Sequence, residues 1–160
     1  MIFFCMICMT YGKVYHGMSM QMTTDGTGIY YKQLRSFSNI TQITGDAGIR
    51  LNNIKQKIDM FGIVNEYQTV IDLIVGYRYE YFSVKAEGGI KPIIILGTGG
   101  MAKIKSFSKV NMIGPWMIQY ILGLGVQFYN GRILNEITIK YIQSKITKGQ
   151  AAFQLAFYWK

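Results

Sequence analysis

The stretch from Ile121 to Tyr141, ILGLGVQFYNGRILNEITIKY, constrains this chain more than any other. It is apolar enough to be buried, yet it carries three glycines and an Asn-Gly pair. No charged residue occurs between Val110 and Gly131, so length alone would admit a membrane helix. The large and small residues, however, separate by parity. Trp116, Ile118, Tyr120, Leu122, Leu124, Val126 and Phe128 alternate with Met117, Gln119, Ile121, Gly123, Gly125, Gln127 and Tyr129. At 100° per residue the second set would scatter around a helix, whereas a period of two is that of a strand with two different faces. Asn130-Gly131 supplies the positive φ of a two-residue hairpin turn. Beyond it, Ile137, Ile139 and Tyr141 alternate with Glu136, Thr138 and Lys140.

The pattern recurs along the chain. In Val70–Phe82, Leu73, Val75, Tyr77, Tyr79 and Tyr81 oppose Asp72, Ile74, Gly76, Arg78 and Glu80. In Ile90–Lys105, Ile94, Leu96 and Thr98 oppose Ile95, Gly97, Gly99, Met101 and Lys103. At the C-terminus, Phe153, Leu155, Phe157 and Trp159 oppose Ala152, Gln154, Ala156 and Tyr158. Segments 28–37, 45–53 and 57–67 are strand-like without a clear assignment of faces. Counting back from the C-terminus gives eight strands, at about 27–37, 43–53, 55–66, 69–82, 90–105, 115–129, 133–144 and 150–160.

A soluble sandwich would turn the apolar face to a core and the charged face to water. Three features favour a membrane barrel instead. The apolar face is dense in Tyr, Phe and Trp, as in an interfacial girdle. The other face mixes glycines with isolated charges, which suits a narrow polar interior. Strand lengths meet the roughly 9–11 tilted residues that a bilayer requires, and backbone pairing in lipid then demands closure. Composition agrees, with 16% charged residues against about 25% in soluble domains.

The net charge of +9 carries no aromatic-basic motif or basic helix, so no nucleic-acid partner is expected. Cys5 and Cys8 lack a second Cys/His pair for zinc, and His16 is the only histidine. No metal, cofactor or catalytic residue is expected. Residues 1–26, with the apolar run IFFCMIC, are expected to be the remnant of an export signal or an N-terminal extension, and 27–160 the barrel domain.

KPIIILGTGG, WMIQYILGLGVQFYNGRILNEITIKYI and AAFQLAFYW resemble, in order and spacing, the last strands of small eight-stranded outer-membrane barrels. The nearest pattern is that of the opacity-type surface proteins, within the outer-membrane-protein-A-like superfamily. Its elements here are Pro92, Gly97 and Gly99; Gly123, Gly125 and Val126; Ile137 to Tyr141; and Phe153 to Trp159. The chain departs from it by ending on Lys160, so Trp159 takes the closing role. The resemblance implies an eight-stranded antiparallel up-and-down transmembrane β-barrel in the bacterial outer membrane. It also implies a terminal strand read by the barrel-assembly machinery.

An eight-stranded lumen is filled by side chains rather than open. Arg78, Glu80, Glu136 and Lys140 are then expected to form an interior polar network, with Gly76, Gly97, Gly99, Gly123 and Gly125 as close-packed barrel glycines. The membrane-facing aromatics would be Tyr77, Tyr79, Tyr81, Trp116, Tyr120, Phe128, Tyr141, Phe153, Phe157 and Trp159. With a periplasmic C-terminus, the outer loops fall near 38–42, 66–69, 104–114 and 144–150. Lys103, Lys105, Lys109, Lys145 and Lys148 there are candidates for binding polyanions, either host glycosaminoglycans or the phosphates of lipopolysaccharide. Two other readings stand beside this one. A lipocalin-like carrier would need an apolar interior and a polar exterior. A lipid-modifying enzyme on the same scaffold would need a histidine near a serine at the outer rim, and His16 is its only candidate.

Overall fold

The computed structural model describes residues 13–36, 41–59, 62–80, 89–107, 110–144 and 149–160, without the side chains of 53–67, 78–80, 105–107 and 110–112. Nine strands run along it: β1 (Lys13–Thr23), β2 (Gly26–Ser36), β3 (Thr41–Asp59), β4 (Gly62–Glu80), β5 (Lys91–Phe107), β6 (Val110–Ile113), β7 (Met117–Asn130), β8 (Ile133–Ser144) and β9 (Gln150–Trp159). Successive strands pair antiparallel except that β7 pairs with β5 rather than β6, and β1 pairs with β9. The sheet is thereby a closed eight-stranded barrel, with β6 as a short extension on β5.

The stagger can be read from the register. A path of paired residues from Lys13 passes through Ser36, Gln42, Arg78, Ile95, Gly123, Lys140 and Ala152. It returns to β1 at Thr23, ten residues from its start. For eight strands this shear corresponds to a tilt of about 41° and a backbone radius of about 8 Å. Such a cylinder is too narrow for an open channel once its inward positions carry ordinary side chains.

Two irregularities lengthen one end. The β3–β4 register slips between Asn53 and Lys55, and the hairpin continues past Asn52, which pairs with Gly26 at the start of β2. This hairpin overhangs β2 by about 23 Å along the strand. The second lies between β6 and β7. Ile104 pairs with Ile113 but Met101 with Met117, so Gly114-Pro115-Trp116 holds one residue more than the ladder needs. Proline has no N–H to donate, and a bulge is where a ladder tolerates it.

Three expectations are corrected. The barrel begins at Lys13 rather than residue 27, because β1 pairs with both β2 and β9; residues 1–12 lie outside the described ones. The expected strand 55–66 straddles the β3–β4 connection, so its two halves belong to different strands. The apolar patterning of 55–66 runs through the hairpin tip without a strong turn signal, which hides that break. Finally, the β7–β8 loop residues are Gly131 and Arg132, with Asn130 paired to Ile133. Gly131 holds φ at +61°, at the first loop position, where the favoured hairpin turns need a positive value.

Candidate functional site: a layered, filled lumen

Inward and outward positions differ in kind. The outward face carries Ile29, Leu51, Leu73, Val75, Leu96, Ile118, Leu122, Leu124 and Ile139 in the open, with Leu124 at 65% and Ile139 at 66% exposure. The inward face buries Lys32, Asp46, Arg50, Asp72, Glu136 and Lys140 with Ser19, Gln21, Thr44, Gln119, Gln127, Thr138, Gln150 and Gln154. An outward-facing apolar surface around a charged core is the arrangement of a barrel solvated by lipid. It is the inverse of a carrier for hydrophobic ligands.

Along the axis the lumen is layered, and the two-residue step of inward positions explains why. Farthest from the termini lies an ionic layer. Arg50 Nε and Nη2 stand 3.3 Å and 3.5 Å from the Asp72 carboxylate, and Nη1 donates to Gln150 Oε1 at 2.9 Å. Tyr30 Oη donates to Asp72 at 2.9 Å and Gln119 Nε2 at 3.0 Å. Gln150 also donates to Asp25 in the β1–β2 turn, which ties that turn over the barrel mouth.

One inward step toward the termini from Asp72, Gln119, Ser144 and Gln150 come Ile74, Ile121, Ile142 and Ala152. These cluster with Tyr30 into an apolar layer. A second ionic layer follows. Lys32 Nζ lies 3.1 Å from Asp46 and 3.7 Å from Glu136, and donates to Gln154 Oε1 at 3.0 Å. Lys140 donates to the same oxygen, while Gln154 Nε2 donates to Ser19 at 2.8 Å and Gln127 Nε2 to Glu136 at 2.8 Å. Leu34, Leu134, Ala156 and Tyr158 then close the end that carries the termini, with Tyr15 packed against them.

Three cations and three carboxylates occupy the lumen among the described side chains. Charges this deep persist only when paired and hydrogen-bonded. Four of them, Lys32, Asp46, Arg50 and Asp72, were not singled out from the sequence. Parity could have found them, since Tyr30, Lys32 and Leu34 share one face of β2, and Asp46, Gly48, Arg50 and Asn52 share one face of β3. Glu136 and Lys140, singled out from the sequence, are both buried in the second ionic layer. Arg78 and Glu80 lie at the register positions of Ile95 and Ile93, with side chains outside the described ones.

The glycines fall into two groups. A Cβ on Gly99 would overlap the Leu73 carbonyl oxygen, and one on Gly123 or Gly125 would sit 2.8 Å or 2.5 Å from the carbonyl oxygens of Ile139 or Ile137. Gly97 is looser, at 3.3 Å from both Ile121 and the Val75 oxygen, and Gly76 is buried opposite it. Gly17, Gly26, Gly28 and Gly48 are also tightly approached. Sequence reading passed over them because the first strands lack clean alternation.

Among the aromatics, Tyr77, Trp116, Tyr120, Tyr141, Phe153, Phe157 and Trp159 are exposed and Phe128 is half-buried. Trp116 lies in the bulge rather than in a strand, and Tyr79 and Tyr81 fall outside the described side chains. His16 is on the outward face at the terminal end, with Nδ1 2.5 Å from Tyr31 Oη.

Topology corrects the loop assignment. The connections 24–25, 60–61, 108–109 and 145–149 lie at the end away from the termini; 37–40, 81–90 and 131–132 lie at the terminal end. The expected loop 38–42 therefore belongs with the termini, and 66–69 lies inside β4. Lys103 and Lys105 stand near the far end of β5, and the stretches holding Lys109, Lys145 and Lys148 connect strands at that same end. Of these five, only the Lys103 side chain is among the described ones, and it is half-buried.

A closed eight-stranded barrel with a filled polar lumen and an apolar coat has the fold of the small outer-membrane barrels. No protein-family model and no curated protein sequence matches the chain. Solved structures do. Neisserial surface protein A superposes with a TM-score of 0.68 at 9% identity, covering 92% of this chain and 95% of that one. The N-terminal barrel domain of Pseudomonas aeruginosa OprF gives 0.62 at 10%, covering 93% and 98%. Ail, the attachment invasion locus protein of Yersinia pestis, gives 0.54 at 11%, covering 91% and 95%, and has also been solved with the heparin analogue sucrose octasulfate.

Proposed function

We propose that this chain is a surface protein of the bacterial outer membrane, a filled barrel with no transport path that displays its long hairpins and basic loops outward. The observation that carries this reading is the inverted polarity, with charges inside a closed barrel and aliphatic side chains outside. The terminal end faces the periplasm, and β9, closing on Trp159, is the strand offered to the barrel-assembly machinery.

The far end gathers the candidate lysines Lys103, Lys105, Lys109, Lys145 and Lys148. The overhanging β3–β4 hairpin adds Lys55 and Lys57. A mobile polyanion meeting such a rim gains from several weak charge contacts at once. The ligands are sulfated polysaccharides of a host or the phosphates of neighbouring lipopolysaccharide. The heparin analogue held by Ail supports this class of ligand, and the resemblance of β5 and β7–β9 to opacity-type proteins supports an adhesive role. The reading is non-catalytic, since His16 meets a tyrosine at the end opposite the proposed outer rim.

The test begins with refolding into micelles and electrophoresis with and without boiling. A compact unboiled band that slows on boiling is expected of a closed barrel. Heparin and lipopolysaccharide binding to the refolded protein should then weaken with salt and fall when the five lysines are replaced by glutamine. A β-rich protein that stays soluble without detergent would defeat the membrane reading, and salt-independent binding would defeat the polyanion reading.

A further inference from the structure

On β1, three successive outward positions are methionines: Met18, Met20 and Met22, exposed at 53%, 48% and 50%. No other methionine is this open among the described residues; Met101 in the lumen is at 0%. On the other strands the large exposed apolar side chains are Ile, Leu, Val and aromatics instead, among the described residues. The three stand directly across the closing seam from Phe157, Leu155 and Phe153 of β9. Leucine would fill the same space in lipid with nearly the same volume, so packing does not account for sulfur at three consecutive positions. What sulfur adds is chemistry, because a thioether is oxidised reversibly to a sulfoxide.

We infer that the β1 stripe is a modification site that reduces lipid hydroperoxides within the bilayer. The thioether sulfur attacks the distal oxygen of the hydroperoxide and the O–O bond breaks. The oxygen atom passes to sulfur, which is oxidised by two electrons to the sulfoxide. The proton it carried moves to the departing alkoxide, and the peroxide leaves as the lipid alcohol. Each methionine consumes one hydroperoxide. The stripe rises about 10 Å along the barrel axis, so it samples several depths of the acyl chains. It is the lumen wall, not the lipid face, that shields Met101 from the same reagent.

This inference rests on the membrane-spanning reading, and the experiment separates the two. The refolded full chain is inserted into phosphatidylcholine vesicles containing phosphatidylcholine hydroperoxide, with heat modifiability as the check on insertion. Peptide mass spectrometry should find one added oxygen on each of Met18, Met20 and Met22 and none on Met101. Phospholipid alcohol should appear in matching amount, and the Met18→Leu, Met20→Leu, Met22→Leu variant should abolish that yield. An inserted barrel whose three methionines oxidise no faster than Met101 overturns the inference and leaves the membrane reading standing. A chain that never inserts overturns both.

Discussion

Arg50 and Asp72 form a two-pronged ion pair in the far layer of the lumen, on adjacent strands and two residues out of register, since Asp72 pairs with Gly48. Both side chains are fully buried, and Asp72 also accepts hydrogen bonds from Tyr30 and Gln119. Asp72→Ala should therefore destabilise the barrel by roughly 3–5 kcal/mol, because it strands a buried guanidinium. Replacing both partners together, Arg50→Met with Asp72→Leu, should recover most of that loss. Urea unfolding in micelles, followed by loss of the unboiled compact band, reads both. A single variant as stable as the parent would show that the pair is hydrated.

Lys32 places one ammonium between two buried carboxylates, Asp46 and Glu136. Lys32→Met removes the cation and leaves the two acids in one layer. A loss of about 3–5 kcal/mol is expected. Gln154→Leu should cost less, about 1–3 kcal/mol in total, because Asp46 and Glu136 still hold the Lys32 ammonium when the amide oxygen is gone. The ranking of the two variants in the same urea titration is the check, and the reverse order would mean that Gln154 organises the layer.

Glycine substitutions should split sharply. Gly99→Ala forces a methyl into the Leu73 carbonyl oxygen and should prevent a stable barrel, whereas nothing lies within 4 Å of a Cβ at Gly45. Gly45→Ala should stabilise by about 0.4–1 kcal/mol through the unfolded chain. Folding yield in micelles distinguishes them. Equal yields would mean that β4 and β5 can move apart.

Leu124 faces outward near mid-height on β7, at 65% exposure. Leu124→Arg should cost about 2–4 kcal/mol in a bilayer. The same change should be nearly neutral if that face met water. Comparing unfolding midpoints in vesicles reports directly on what solvates the barrel.

The apolar layer of Ile74, Ile121, Ile142 and Ala152 separates the two ionic layers. Vesicles carrying the protein should therefore hold a potassium gradient as long as empty vesicles do. Ile74→Ala, Ile121→Ala and Ile142→Ala combined should admit water and raise the leak. A leak in the parent protein would contradict a filled lumen.

How far the sequence disclosed this architecture depended on local contrast. From β7 through β9, large residues alternate with glycine, glutamine or charge, and parity alone separates the two faces, with Glu136 and Lys140 on the one that the structure turns inward. In β1 the outward methionines lie opposite Gly17, Ser19 and Gln21, a milder contrast, and the strand was hidden beside an apolar leader-like run. In β2 the adjacent Tyr30 and Tyr31 are both aromatic, though one is buried and the other exposed. Periodicity blurs there, and with it the positions of Lys32, Asp46 and Arg50. Partners in the lumen were beyond reach for a different reason. Lys32 meets Glu136 from another part of the chain, and only the ten-residue shear decides which inward positions share a level.

The seam between β1 and β9 differs from every other pairing in the barrel, because it joins the first and last of the described strands. Gln154 reaches Ser19 across it from 135 residues away. The remaining strand pairs are made between sequence neighbours and can zip locally, but this one demands the largest loop closure available to the molecule. In a bilayer, as the proposed function has it, the first and last strands would until it forms each present a row of unpaired amides and carbonyls to hydrocarbon, a state lipid does not tolerate. Assembly is thus all-or-none at its final step. A chain lacking its last strand has no stable partly built form in a membrane, and insertion must wait until both ends can meet.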